Sequence, residues 1–319
     1  MSPARLSRAL ALLTLAGLAA GCGGDEEQTP GAGGPVSGGG TLAYAIAGHV
    51  RELDPLLAAS ADEQLVTRQI HEPLVASLAA PFGDARRSRG LAISWRSTPD
   101  REIWSFQLRK GIRFQDGVPL NAAAVLANAE RWRTLPEGRA LIPELVATDA
   151  PRPDLVRFIL SSPVPDFPDR LASPRLGIVS PRSLRPHSGT GAVLAGAERS
   201  GTGPFELRAG APAGSVLVVA NTSWWGTRLG LGPALDQVQF EVEPSDERRV
   251  DLLIAGEVQA AAGLAAGDVA ALRDDPLLTY VRAGSGSVLG LERSVRGIQA
   301  GASIEPLSDV WLTVVGAQE

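Results

Sequence analysis

The chain has 319 residues, 44% of them hydrophobic and 20% charged, with a net charge of −5. That length allows one large domain or two smaller ones, the balance is that of a globular protein, and the charge points away from a nucleic-acid partner. Cys22 has no second cysteine to pair with, and His49, His71 and His187 have none to join them, which excludes an internal disulfide and a Cys–His metal centre.

In chain order, Arg5 and Arg8 precede an apolar run, Ala9 to Ala20, that is too short to span a bilayer but suits a secretory leader. Ala19, Ala20 and Gly21 then lead to Cys22, and the stretch resembles a bacterial lipoprotein processing site, with Leu18 one position earlier than the usual leucine. Residues 1–21 read as the signal peptide and Cys22 as the lipidated residue. Several acyl chains on one residue anchor stably where one does not. The plainer alternative is a secretory leader with an incidental cysteine. Residues 22–40 are Gly-rich and polar and read as a flexible tether.

Thr41 to Ile46 is a candidate first strand, and residues 61–71 are helix-like. Pro73 ends that helix by biasing Glu72 out of the helical region. The stretch Trp104 to Asn128 is the organising block. Trp104, Phe106 and Leu108 alternate with polar residues as in a half-buried strand, and Ile112 to Phe114 predicts a second short strand. Asp116-Gly117 turns the chain, Pro119 stops strand pairing, and Asn121 caps a helix carrying Val125, Leu126, Ala129 and Trp132 on one side. Further strands are expected at 154–160, 215–220 and 237–242. A helix should run from Ser245 to Ala255 and stop at Gly256.

The block W-x-F-x-L-R-x-G-x-x-F-x-D-G-x-P-L-N-A-x-x-V, from Trp104 to Val125, resembles the signature of the family 5 extracellular solute-binding proteins, the peptide- and nickel-type receptors of ABC importers. One departure is Ala124, where the family often has Asp. The supporting segments are T-L-x-Y-A, L-D-P, E-P-L at Glu72, L-A-x-S-W at 91–95, G-T-G-P-F at 201–205, N-x-x-W-W-G at 221–226, and R-x-x-x-L-x-x-G-E-V-Q-A at 249–260. The resemblance runs from about residue 40 to about 282. It implies an α/β fold: the first domain of a periplasmic-binding-protein-like (type II) architecture, with a mixed sheet, packed helices and a small accessory β region. Residues 284–287 read as a hairpin-like bypass into a C-terminal segment, 307–315, that returns to the same lobe as a strand or edge segment. A single lobe over 41–315, its second lobe missing, is therefore expected.

No catalytic constellation emerges: G-x-S-x-G, G-K-[ST] and H-E-x-x-H are absent from the sequence. His71 beside Glu72 reads as a partly exposed helix-end histidine and not as a catalytic pair, because adjacent helical residues point apart. Trp224 and Trp225 could stack on a ligand or pack a strand end into the core. Arg175 lies in an L-x-x-P-R setting that resembles the stretch presenting an arginine to the ligand in the nickel-type branch. The other reading is a surface arginine paired with a nearby acid. The resemblance implies a non-enzymatic, lipid-anchored, extracytoplasmic substrate-binding component without cofactor or metal, whose partners are a small peptide or similar solute and ABC permease subunits. The alternative is a non-transporting accessory lipoprotein derived from the same fold.

Overall fold

A computed structural model describes residues 39–75, 90–187, 191–194, 200–229, 233, 235–264, 278–282 and 289–293. Cys22, the tether up to residue 38 and the expected strand at 307–315 lie outside the described residues.

Two sheets organise the chain. The larger is built on β1 (Thr41–Ile46), which pairs in parallel with β10 (Gln237–Val242) on one side and β11 (Ala260–Ala261) on the other. Antiparallel neighbours extend it through β9 (Ser215–Ala220) to β8 (Phe205–Arg208), and through β13 (Leu289–Arg293) to β12 (Leu278–Arg282). The order is β12-β13-β11-β1-β10-β9-β8. Ala45 and Ile46 are both fully buried, as expected of a central strand covered on both faces. One face packs Tyr44, Ile46 and Phe240 against Leu65, Val66 and Ile70 of α1 (Ala61–Ile70). The other packs Ala45 and Ala261 against Leu253 of α5 (Asp246–Ala255).

The smaller sheet is antiparallel, in the order β2-β3-β5-β4, from β2 (Ala92–Ser97), β3 (Ile103–Leu108), β4 (Leu145–Arg152) and β5 (Leu155–Leu160). Its inner face carries Trp104, Phe106, Val156 and Phe158 and packs on α2 (Ala122–Thr134). Trp132 of α2 stacks on Phe158, with centroids 6.4 Å apart at 11°. Phe167, at the start of the short helix α4 (Phe167–Arg170), meets Phe106 and Phe158. Truncating any one of these three buried phenylalanines to alanine costs ~3–5 kcal/mol. The short helix α3 (Pro136–Leu141) follows α2, and a separate pair, β6 (Leu184–His187) with β7 (Gly191–Leu194), completes the described elements.

The helix signals act as the sequence indicates. Asn121 Oδ1 accepts from the Ala124 amide at 3.0 Å, and Ser245 Oγ from the Arg248 amide at 3.3 Å. Gly256 closes α5 in the left-handed region, φ 75°. Ala124 is only 1% exposed, so this position faces the core. The expected strand at 112–114 is corrected: the segment makes one isolated bridge, Arg113 to Pro119, closed around the Gly117 turn (φ 82°) by the Phe114 amide on the Val118 carbonyl at 2.8 Å and the Leu120 amide on the Ile112 carbonyl at 3.0 Å, and it is too short to form a ladder.

Candidate functional site

The segment after α1 is where the two sheets meet. His71 caps α1 in an extended conformation (φ −119°, ψ 127°), and the expectation of a partly exposed side chain is corrected: it is fully buried where the end of α1 packs against the 177 and 201 turns. The carbonyls of this segment then bond outward in three directions. Ile70 accepts from the Gly203 amide at 2.9 Å, Glu72 from Ile178 at 2.8 Å, and Leu74 from Ala92 of β2 at 2.8 Å. Two of these partner segments are themselves held. Asn128 of α2 clamps both backbone groups of Val179, at 2.8 and 3.0 Å. Gln115 donates to the Phe205 carbonyl at 2.7 Å and accepts from the Gly201 amide at 3.1 Å.

The glycines of the G-T-G turn are needed for close approach. A Cβ at Gly201 would overlap the Ile70 carbonyl oxygen, and one at Gly203 the Gln69 carbonyl oxygen. Their absence lets Thr202 sit buried beside Glu72. Asn221 ties the next segment to this turn, with its side-chain amide on the Gly203 carbonyl at 2.9 Å and its backbone amide on Pro204 at 2.7 Å. It thereby delivers Trp224 and Trp225.

Trp225 opens a 3-10 turn, Trp225–Leu229, and its indole Nε1 donates to both oxygens of Glu72, at 3.0 and 2.8 Å. The Arg109 guanidinium, just past β3, lies 4.4 Å above the Trp225 ring, a cation–π geometry. Trp224 tilts against Trp225 at 5.4 Å. Glu72 is 0% exposed, and burial pushes its carboxyl up to about 8 although Thr202, Trp225, Trp224 and Arg109 all favour the ionised form. Arg109 also lines an open groove of about 730 Å³ together with Ile93, Leu108, Lys110, Arg152 and Asp154. In it Asp154 pairs with both Lys110 and Arg152 at 3.3 Å.

Of the residues singled out in sequence, Trp224 and Trp225 come together here. Trp224 is 6% exposed and belongs mainly to the core, whereas Trp225 is half-buried. Arg175 lies on a neighbouring 3-10 turn, Pro174–Leu176, packed beside His71 through Gly177. Its guanidinium donates to the Leu56 carbonyl at 2.8 and 3.3 Å, a partner that neither sequence reading named. Leu56 belongs to the L-D-P turn, where Asp54 forms a buried ion pair with Arg131 of α2, each side chain 1% exposed. Glu72, Thr202 and Arg109 were missed as site residues. Each stands in a segment that carries the family resemblance, but only the fold brings the three together. Among the described residues no three His, Cys, Asp or Glu side chains gather as a metal site, and no helix is long and apolar enough to cross a membrane.

The sequence model described as bacterial extracellular solute-binding proteins, family 5 Middle, matches residues 88–311. The probable D,D-dipeptide-binding periplasmic protein DdpA of Escherichia coli (strain K12) is 27% identical over 226 residues, covering 70% of this chain and 43% of that protein. The glutathione-binding protein GsiB of the same strain is 29% identical over 227 residues, covering 69% and 41%. Among solved structures, the periplasmic binding protein AgaA from A. tumefaciens R10, in complex with agropinic acid, superposes with a TM-score of 0.65 at 25% identity, covering 76% of this chain and 48% of that one. DppA from Helicobacter pylori, in complex with the peptide STSA, gives 0.62 at 23% identity, covering 76% and 50%, which speaks for the fold. The chain thus spans less than half the length of these curated relatives.

Proposed function

The chain belongs to the bacterial extracellular solute-binding proteins of family 5, and from that membership we propose that it is the substrate-binding component of an ABC importer for peptides or related small solutes. The observation that carries the proposal is the family match over residues 88–311. The names of DdpA and GsiB, a dipeptide and a glutathione binder, favour short peptides as the ligand class. In this reading the protein binds and hands on a solute without chemistry, its partners are ABC permease subunits, and it works outside the cytoplasm, tethered by lipid on Cys22. Trp225, half-buried beneath Arg109, and Arg175, on the adjacent turn, are the side chains we assign to the ligand face, with Trp224 behind them as support.

One observation favours the second reading, an accessory lipoprotein that kept this fold without transport. β12 and β13 pair antiparallel with Arg282 opposite Leu289, so only residues 283–288 join two neighbouring strands of one sheet. Six residues are too few for a second core-bearing lobe at that point. A lobe without its counterpart would offer an open face, with contacts from one wall and water not excluded. Titration calorimetry of the purified protein with short-peptide pools and metal–chelate mixtures separates the readings. Saturable heat with a peptide pool is expected for the importer component, and a flat response to every pool would favour the accessory protein.

A further inference from the structure

The outer face of the smaller sheet gathers more positive charge than its own acids neutralise. Beside the open groove that Arg109 lines lies a second hollow of about 220 Å³, whose lining includes Ser94, Arg96, Ser105 and Leu155 and, shared with the groove, Gln107 and Arg152. The strand register explains the grouping. Ser94 sits opposite Gln107 and Arg96 opposite Ser105 across β2 and β3, while Leu155 of β5 pairs with both Gln107 and Arg152. Trp104, Phe106 and Leu108 are buried in the core, so the alternate residues Ser105 and Gln107 face outward. Gln107 holds the wall common to both hollows: its side-chain oxygen accepts from the Arg152 guanidinium at 2.7 Å, and its side-chain amide donates to the Asp154 carbonyl at 2.7 Å. Together the two hollows present Arg96, Arg109, Lys110 and Arg152 against Asp154 alone.

That surplus runs against the chain as a whole, whose net charge is −5. On the same face Arg157 is matched by Asp149 alone, with guanidinium bonds of 2.7 and 2.6 Å. Arg96 makes no ion pair among the described residues. Asp154 is a single carboxylate shared at 3.3 Å by Lys110 and Arg152, whose side chains are 80% and 58% exposed. Like charges gathered in this way repel one another and bring no packing in return, so the fold does not account for them. Ile93 and Leu155 add half-buried apolar surface between the charged ends. Arg96, opposite Ser105, and Lys110 stand roughly 15 Å apart along β3 by the rise of a strand, which leaves room for a ligand with an acid at each end. We propose that this face binds a small organic dianion, two carboxylates joined by an apolar spacer, one taken by Arg96 and Arg152 and the other by Lys110 and Arg109. A guanidinium fork suits a carboxylate, and the Ser94 and Ser105 hydroxyls add donors at the first end. The inference stands apart from the transport reading, since it needs neither a second lobe nor the ligand face at Trp225 and Arg175.

Lys110 is the only lysine of the chain, so its acetylation by N-hydroxysuccinimidyl acetate, followed by mass spectrometry on the whole protein, reports the site directly. The probe is suberate, a straight-chain dicarboxylate, with octanoate and sodium chloride at matched ionic strength as comparisons. Suberate should slow Lys110 acetylation roughly fivefold, and octanoate and chloride by less than about twofold. Arg96→Gln and Arg152→Gln should each lose most of that protection although Lys110 itself is unchanged. Asp154→Asn removes the one acid lining the hollows and should strengthen the protection. The variants act in opposite directions, which a shared folding defect cannot produce. Wild-type protection no greater than that given by matched chloride overturns the proposal, and so does equal protection by octanoate, which needs only one acid. Protection that survives in both arginine variants, or that does not rise in Asp154→Asn, places suberate elsewhere and overturns it as well.

Discussion

Replacing Glu72 by glutamine should change how stability depends on pH, with a sign and size fixed by burial. The carboxyl sits at about 8 in the folded chain against 4.5 for the exposed group. Between those values the native state holds a proton that the unfolded state has released, so stability falls as pH rises through the window. Below 4.5 both states are protonated, and above 8 both are ionised, so the slope vanishes outside it. The window is about 3.5 pH units wide at about 1.4 kcal/mol each, which gives a loss of about 5 kcal/mol across it. Glutamine has no proton to lose. It does turn one N–H donor toward the Trp225 indole, which costs roughly 1–3 kcal/mol at every pH. Urea unfolding followed by circular dichroism, from pH 4.5 to 8.5, should therefore show the variant less stable at the acid end and more stable at the alkaline end. Asp54, also raised by burial, contributes equally to both proteins and cancels in the difference. Stability curves that run parallel over the whole range would mean that Glu72 is hydrated or ionised in the folded protein.

Arg131→Met should cost about 3–5 kcal/mol of unfolding free energy, because it strands Asp54 as a buried acid, and adding Asp54→Asn should recover much of that loss in the same urea assay. Arg175→Ala removes both hydrogen bonds to the Leu56 carbonyl and should lower stability by roughly 1–2 kcal/mol. Peptide affinity measured below the melting range then tells whether the side chain also meets ligand, since a purely structural arginine leaves affinity unchanged. Cys22→Ala should abolish incorporation of labelled fatty acid in cells, and lipid retained on that variant would remove the anchor from the functional reading.

The elements read most clearly in sequence are those whose signals are local. Asn121, Ser245 and Gly256 are caps, and each fixes a helix end without reference to the rest of the chain. The inward residues of β3 and β5 alternate strictly with outward ones, and both strands were legible for that reason. β4 was not, because Leu145–Arg152 buries only Leu145 fully and takes its place from pairing with β5. The two-residue β11 carries no pattern at all and exists because Tyr44 and Ala45 of β1 are there to pair with it. The site divides in the same way. The adjacent tryptophans drew attention by residue type. Glu72, an acid before a proline, reads as an ordinary helix-end charge until a donor 153 residues away is brought onto it. The glycines at 201 and 203 read as a tight turn, whereas what they provide is room for the end of α1. The segments that carry the family resemblance each hold residues whose reason for being there is another segment: Gly203 for Ile70, Asn221 for Gly203, Trp225 for Glu72, Arg109 for Trp225. A one-dimensional motif records such residues without their cause. Because the last two of these contacts close on the buried Glu72 carboxyl, one substitution there tests how Trp225 and Arg109 are placed.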